Sequence, residues 1–269
     1  MQERNADVQW MPVDLTGLTA VVGGASGGIG REVARHLAGL GARVVLLARN
    51  ADRLEAARAE LVEPGRHRIL AADFADPAAV ERAIASVVAD EPVHILVNNT
   101  GGPAGGPITD ARPEAFSATF SQHLICNHLL ATAVLPGMRA AGFGRIVNII
   151  STSVKQPLHG LGVSNTVRGA VANWAKTLAN EVGPWGVTVN NVLPGATDTE
   201  RLSGLIAAKS ERTGATPAEI RGEMAAEVPL RRIGRPEEIA HAVAFLCSPA
   251  AAYISGINLP VDGGRTACL

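Results

Sequence analysis

The chain has 269 residues, 47% of them hydrophobic, and its 24 basic and 25 acidic side chains leave a formal net charge of −1. This length is enough for one domain with a large core, and the balanced charge argues against a nucleic-acid-binding protein. No apolar run reaches the roughly 20 residues of a membrane span. Residues 1–16 carry no apolar signal-peptide core, and the three cysteines have no metal-like spacing. We therefore expect a cytoplasmic protein without metal, nucleic acid or membrane as partner.

A glycine-rich turn follows the first predicted strand. Residues 19–22 are apolar, Gly23–Gly30 come next, and residues 31–38 have apolar side chains at helical spacing. Strand, glycine turn and helix together bind a dinucleotide diphosphate, since glycine lets the backbone approach the phosphates and the helix offers free N–H groups. A flexible loop is the alternative interpretation. The predicted cofactor contacts in this turn are Gly24, Ser26, Gly28, Ile29 and Gly30.

The second predicted strand, residues 43–47, leads to the place where the adenosine ribose would lie. The next residues are Ala48, Arg49 and Asn50, with no acid to accept from a ribose 2′-hydroxyl. We interpret Arg49 as a ligand of the 2′-phosphate, so NADP(H) is favoured over NAD(H). An arginine that is merely solvated is the alternative, and NAD(H) stays possible.

Strands and helices alternate along the rest of the chain. Further strands are predicted at 67–71, 93–97, 145–150 and 187–193, and helices at 51–61, 79–89, 114–141 and 163–181, the third bent before Pro136. This alternation predicts an α/β fold: a doubly wound, Rossmann-type parallel sheet of about seven strands in three layers. We expect a single domain at 15–269 after an N-terminal extension at 1–14.

Four motifs resemble the short-chain dehydrogenase/reductase family, in particular its 3-oxoacyl-acyl-carrier-protein reductase-like members. The resemblance extends from about Leu15 to Gly264. Its motifs are Gly24-x-x-x-Gly28-x-Gly30, the Asn98–Gly101 run, the Pro194–Gly195 turn, and a C-terminal signature in Gly234–Ala240 and Asn258–Gly264.

The resemblance implies further cofactor contacts, a substrate lid and an assembly. Asp73 would bind the adenine amine, with an Asx turn as the alternative. Residues 196–227 match the mobile lid over the substrate in position, and a homotetramer or dimer is expected. Two departures lie in the glycine turn: Gly23 stands for a threonine, and Gly27 for a cation common in NADP-using members. The other implied contacts are Phe74, Asn99, Thr100, Gly101, Pro194, Gly195, Thr197 and Thr199.

The active site is where the chain departs most from the family. The family's catalytic serine corresponds to Ser151, but its tyrosine and lysine correspond to Ser164 and Arg168, and its asparagine to His123. No tyrosine precedes Tyr253, so the usual acid is missing. Arg168 stays protonated and can bind ribose, a phosphate or a carbonyl, but cannot relay a proton as lysine does. His123 and His159 are the candidate proton donors, with an ordinary structural role as the alternative for each.

Three functions are compatible with this pattern. The favoured one is an NAD(P)(H)-dependent oxidoreductase acting on a small-molecule carbonyl or alcohol, including a quinone or conjugated ketone that needs less help from an acid. A catalytically silent dinucleotide-binding protein is the second. A non-redox isomerase or lyase using the same pocket is the third.

Overall fold

A seven-stranded parallel sheet forms the centre of the molecule. The structure, a computed structural model, describes residues 13–268, so most of the expected N-terminal extension lies outside the described residues. The strand order is β3-β2-β1-β4-β5-β6-β7, and every neighbouring pair is parallel. This confirms the predicted Rossmann-type fold class. The strands are β1 (Thr19–Gly23), β2 (Arg43–Ala48), β3 (Arg68–Ala71), β4 (Ile95–Asn98), β5 (Gly144–Ile149), β6 (Val187–Pro194) and β7 (Asn258–Val261).

Helices cover both faces of the sheet. Three of them, α1, α2 and α9, enclose one hydrophobic cluster, and α3, α5 and α6 enclose the cluster on the opposite face. Because both faces are covered, β1 and β4 are buried along their whole length. The helices are α1 (Gly28–Gly39), α2 (Ala51–Ala59), α3 (Pro77–Asp90), α4 (Pro113–Phe120), α5 (Cys126–Ala141), α6 (Gly162–Val182), α7 (Glu200–Thr213), α8 (Pro217–Ala226) and α9 (Pro236–Cys247).

The long helix predicted at 114–141 contains an irregularity that the sequence did not indicate. A π-helical turn at Ser121–Ile125 joins α4 to α5, and α5 continues through Pro136. A π turn inserts an extra residue into the helical ladder and is common at functional sites. This irregularity falls at His123, and the bend expected before Pro136 stays a prediction.

The same helical stretch, Pro113–Ala141, is the one described segment long and apolar enough to cross a membrane by length and composition alone. A third of its most apolar window is buried inside the molecule. A core helix of a water-soluble protein passes the same test, so the observation is weak. The expectation that the chain has no membrane partner stays a prediction.

A ladder of four asparagines crosses the carboxyl-terminal half of the sheet. In the strand register Asn98 lies beside Asn148, Asn148 beside Asn191, and Asn191 beside Asn258. Each Nδ2 donates to the Oδ1 of the next asparagine, at 2.8, 2.9 and 2.8 Å. The first three amides are buried. The ladder thus connects four strands through their side chains at the level where the loops of the cleft begin.

Candidate active site

A cavity of about 460 Å³ opens at the carboxyl ends of the central strands. The order of the sheet reverses between β1 and β4, and ligands of doubly wound sheets bind at such a switch point. The cavity is lined by most of the site residues expected from the sequence. These are Gly24, Ser26, Gly28, Ile29, Asn99, Thr100, Gly101, Ser151, Ser164, Arg168, Pro194, Gly195, Thr197 and Thr199. The expected residues outside its lining are Gly30, Arg49, Asp73, Phe74, His123 and His159.

The glycine turn has no room for side chains. A Cβ on Gly30 would overlap the carbonyl oxygen of Gly24, and one on Gly23 would lie 2.7 Å from the carbonyl oxygen of Asn99. Gly30 therefore lies beneath the glycine turn, where it permits close packing of the backbone, and does not face the cavity. Asn99 Nδ2 donates to the Gly23 carbonyl at 3.1 Å, which ties the glycine turn to the loop after β4 without a side chain at position 23.

The start of α1 is suited to a dinucleotide diphosphate. Gly27 forms the N-cap without a side-chain hydrogen bond, and the first turn of α1 has no acid. Its N–H groups therefore stay available for phosphate oxygens, and the helix dipole favours their charge. Thr199 closes this cradle from the opposite side, because its methyl group lies 3.3 Å from the position of a Cβ on Gly28. The residues present thus fit the predicted cofactor.

Sequence reasoning overlooked Arg53, in α2. Arg49 is exposed and does not line the cavity, whereas Arg53 does. Arg53 Nη2 lies 3.1 Å from where a Cβ of Gly27 would be, at the position where NADP-using members carry a cation. It also forms an ion pair with Glu200, at 2.9 Å, on the far side of the cavity. One signal in the sequence could have revealed Arg53. It lies in the first turn of the helix after the second strand, and that turn runs beside the glycine turn.

Ser151, Ser164 and Arg168 form a connected polar group on one wall. Ser151 Oγ accepts from the backbone N–H of Ser153 at 3.1 Å, and Ser164 Oγ accepts from Arg168 Nε at 3.2 Å. Both hydroxyl hydrogens are therefore free to point into the cavity. Arg168 Nη1 donates to the carbonyls of Ile149 and Ile150, at 3.2 and 2.8 Å, which fixes the guanidinium at the end of β5.

This arrangement can stabilise negative charge on a ligand oxygen but has no acid comparable to a phenol. Burial, and then the charge of Arg201, lower the pKa of Arg168 to about 10, so it remains a cation at neutral pH. Two hydroxyl donors next to a fixed cation resemble an oxyanion hole in their chemistry.

The two expected histidines do not line the cavity. His123 is buried behind the wall, where its Nδ1 is hydrogen-bonded to Thr100 Oγ1 at 2.8 Å. Burial, and then the positive charge of Arg168, lower the pKa of His123 to about 3. The ring is neutral at physiological pH and cannot act there as a charged acid. His159 is exposed in the loop before α6. Neither histidine is brought into the cavity. Their catalytic roles stay predictions, and no contact between either ring and the cavity supports them.

The expected adenine contact of Asp73 has a structural competitor. Asp73 Oδ1 accepts from the backbone N–H of Ala75 at 2.9 Å, which is the Asx turn named as the alternative. Phe74 is buried, with its ring tip 3.4 Å from the place of a Cβ on Gly23. It therefore supports the glycine turn from below.

The expected lid consists of α7, α8 and their flanking turns. Leu202, Ile206 and Ile220 make a small hydrophobic cluster of their own, apart from the main core. Thr199 caps α7 by accepting from the backbone N–H of Leu202 at 3.3 Å. The next overlooked residue is Arg201, whose guanidinium lines the cavity and donates to the carbonyl of Pro103 in the loop after β4.

The chain matches known proteins over almost its full length. A family model described as Enoyl-(Acyl carrier protein) reductase matches residues 24–266. The 3-oxoacyl-acyl-carrier-protein reductase of Vibrio cholerae is 36% identical over 256 residues, which cover 94% of this chain and 98% of that protein.

Solved structures agree with this match. L-Sorbose reductase from Gluconobacter frateurii, complexed with NADPH and L-sorbose, is 33% identical, with a TM-score of 0.90 over 96% of this chain and all of that one. YwfH, an NADPH-dependent reductase involved in bacilysin biosynthesis, is 27% identical, with a TM-score of 0.88 over 94% of this chain and 99% of that one. The chain therefore belongs to the short-chain dehydrogenase/reductase family of oxidoreductases, in the group similar to 3-oxoacyl-acyl-carrier-protein reductases.

Proposed function

We propose that the protein is an NADP(H)-dependent reductase of a small conjugated ketone or quinone. The observation that carries this proposal is the wall of Ser151, Ser164 and Arg168, which offers hydrogen bonds and charge to an oxygen but no phenol-like acid. A reaction whose product oxygen is already a stabilised anion is the one such a wall serves best.

The cofactor would be held by the glycine turn and the start of α1. Arg53, beside Gly27, is our candidate for the 2′-phosphate in place of Arg49, and the NADPH named for L-sorbose reductase and YwfH supports this choice of cofactor. When bound, NADPH supplies a hydride, which adds to the conjugated carbon and leaves an enolate or phenolate.

The residues of the wall hold the oxygen on which that charge develops. Ser151 and Ser164 each donate a hydroxyl hydrogen to it, and the fixed cation of Arg168 polarises Ser164. The enolate carbon takes its proton from water, so neither His123 nor His159 is required. The wall does not support reduction of a simple ketone. Hydride addition to such a ketone gives an alkoxide that conjugation does not stabilise, and this alkoxide would need a proton in the transition state.

The surface supports the expected oligomer, and the cysteines support the expected cytoplasmic location. Large apolar side chains are exposed in the α4–α5 region, at Phe120 and Ile125, and at the C-terminal end, at Phe245, Tyr253 and Ile257, while Val62, Ile108 and Leu230 are exposed elsewhere. Cys126, Cys247 and Cys268 are free thiols, as in a reducing compartment.

The test is NADPH oxidation, followed by stopped-flow absorbance, with benzylideneacetone and menadione as substrates. We expect the wild type to reduce both, and to reduce the saturated ketone benzylacetone at least about 100-fold more slowly. Ser151→Ala should lower the rate with benzylideneacetone by about 100-fold, because one donor to the developing anion is lost. Its affinity for NADPH should not change, and calorimetric titration checks this.

Three outcomes would refute the proposal. Equal rates with benzylacetone would mean that an acid exists in the site. Tight NADPH binding without any hydride transfer would instead favour the silent dinucleotide-binding protein, and conversion of a substrate without nicotinamide would favour the isomerase or lyase.

A further inference from the structure

Two arginines from different elements face one small volume of the cavity. Nη2 of Arg168 in α6 and Nη2 of Arg201 in α7 each lie 3.5 Å from the point where a Cβ on Gly102 would be. The other two arginines of the cavity are neutralised, since Arg53 pairs with Glu200 and Arg265 with Glu227. Within residues 13–268, neither Arg168 nor Arg201 has a carboxylate partner.

This pair of cations is electrostatically incomplete. Burial lowers the pKa of both guanidinium groups, and the charge of Arg201 lowers that of Arg168 further. Arg168 is half-buried, whereas Arg201 is exposed, so solvent screens part of the repulsion between the two guanidinium groups. An anion bound between them would remove the remainder. A carboxylate is well matched to this task, because its two oxygens accept from guanidinium forks.

The pair belongs to the substrate side of the cavity and not to the diphosphate cradle. That cradle lies at the start of α1, where Thr199 approaches Gly28. Arg201 is directed elsewhere, to the carbonyl of Pro103 in the loop after β4. Arg168 is bonded through Nε to Ser164, whose hydroxyl is assigned above to the substrate oxygen.

Two neighbouring nitrogens of the Arg168 guanidinium indicate how the ligand groups are spaced. Nε bonds Ser164, which serves the oxygen site, while Nη2 of the same planar group faces the volume beside Gly102. Because these nitrogens are adjacent, a ligand with its acid next to its carbonyl suits both. Three leucines, Leu158, Leu161 and Leu205, also line the cavity.

We propose that the substrate is an α-keto acid with an apolar body, in which the ketone is conjugated to a carbon–carbon double bond; its carboxylate is bound by Arg168 and Arg201 and its keto oxygen by Ser151 and Ser164. The inference rests on the proposed function and deepens it, because it names the substrate class of the same site. Arg201 is its specificity-determining residue: it touches only the acid group, so a neutral ketone gains nothing from it.

The test is calorimetric titration of the protein, with and without NADP⁺, using phenylpyruvate and benzylidenepyruvate and their uncharged amides as probes. We expect the wild type to bind each acid about 10- to 100-fold more tightly than its amide, the range for loss of a charge-assisted hydrogen bond. Arg201→Met keeps the length of the side chain without the charge, and should remove this discrimination while leaving NADPH affinity unchanged. Arg53→Met is the matched control, and should weaken NADPH while the preference for each acid over its amide is retained.

Either of two results overturns the inference. One is that no acid binds better than its amide, in the presence or absence of nucleotide. The other is that Arg201→Met weakens NADPH as much as it weakens the acids, which would make Arg201 a ligand of the cofactor diphosphate. Failure of the proposed function is recognised separately, by the absence of NADPH binding or of benzylideneacetone reduction in the wild type.

Discussion

His123 shows how one residue can occupy a family position and yet do different work. Sequence alignment puts it where the family has an asparagine, and its chemistry suggested a proton donor. The structure buries it beside the fixed charge of Arg168 and bonds it to Thr100. A neutral imidazole held in this way is a structural element of the wall, and its cost to the folded state depends on pH.

His123→Asn should flatten the acid side of the stability profile. The unfolded chain binds a proton at His123 below its ordinary pKa of about 6.5, whereas the folded chain does so only near its lowered pKa of about 3. The contribution of His123 to the free energy of unfolding is therefore full at neutral pH. It decreases as the pH falls through this window, by about 2 kcal/mol at pH 5. Urea unfolding at pH 7 and pH 5 measures the difference.

The slope with pH, and not the absolute stability, is the relevant quantity, because the substitution also changes the bond to Thr100. His159→Asn is the control, since that side chain is exposed. A variant at position 123 that loses as much stability on acidification as the wild type would contradict the burial argument.

At the scale of elements, the asparagine ladder connects the strands that carry the site. Asn148 is fully buried; it accepts from Asn98 and donates to Asn191, so its amide satisfies two buried neighbours at once. A buried polar group without a partner costs more than an ordinary hydrogen bond contributes. The ladder is therefore both a source of stability and a point at which the sheet is vulnerable.

Asn148→Ala should lower the free energy of unfolding by about 2–4 kcal/mol, because it leaves one donor and one acceptor without partners. Asn258→Ala is the matched control at the edge of the sheet. It leaves only the Nδ2 donor of Asn191 without a partner, and Asn258 itself is half-buried. Chemical denaturation of both variants gives the comparison. Equal losses would mean that water reaches the ladder and replaces the missing amide.

The elements themselves were predictable from the sequence, and the cross-element contacts were not. The positions of β1 to β6 and of α1, α2, α3 and α6 followed from apolar periodicity to within a few residues, because burial on a two-faced sheet dictates that pattern. The glycine turn, Ser151, Ser164 and Arg168 were located by their place in the motifs. Arg53 and Arg201 were missed, since an arginine in a polar helix looks solvated until its neighbour across the cavity is known.

On the scale of the whole molecule, exposed apolar side chains mark two surfaces of the monomer. Phe245 of α9 is 41% exposed and Tyr253 is fully exposed, at the C-terminal end. Phe120 and Ile125 are exposed in the α4–α5 region. A single exposed apolar side chain is common, whereas a group of them is typical of a contact between proteins.

Phe245→Glu should therefore reduce the mass of the particle in light scattering after size exclusion, from a tetramer to a dimer. A charge placed in an apolar contact loses its hydration without gaining a partner. Val62→Glu is the control, because Val62 is also exposed, at 62%, but lies outside both surfaces. A wild type that runs as a monomer at micromolar concentration would count against the assembly as a whole.

The ion pair between Arg53 and Glu200 has a consequence for how the two sides of the cavity communicate. It joins α2 on the cofactor side to the first residue of α7. Both side chains are at least half exposed, and such a pair contributes at most about 1 kcal/mol, so a phosphate group at Arg53 can replace it. Thermodynamic linkage then works in both directions: an anion that takes Arg53 frees the start of α7, and a ligand that moves α7 away leaves Arg53 open for the anion. Affinity on one side of the cavity thus becomes a function of occupancy on the other.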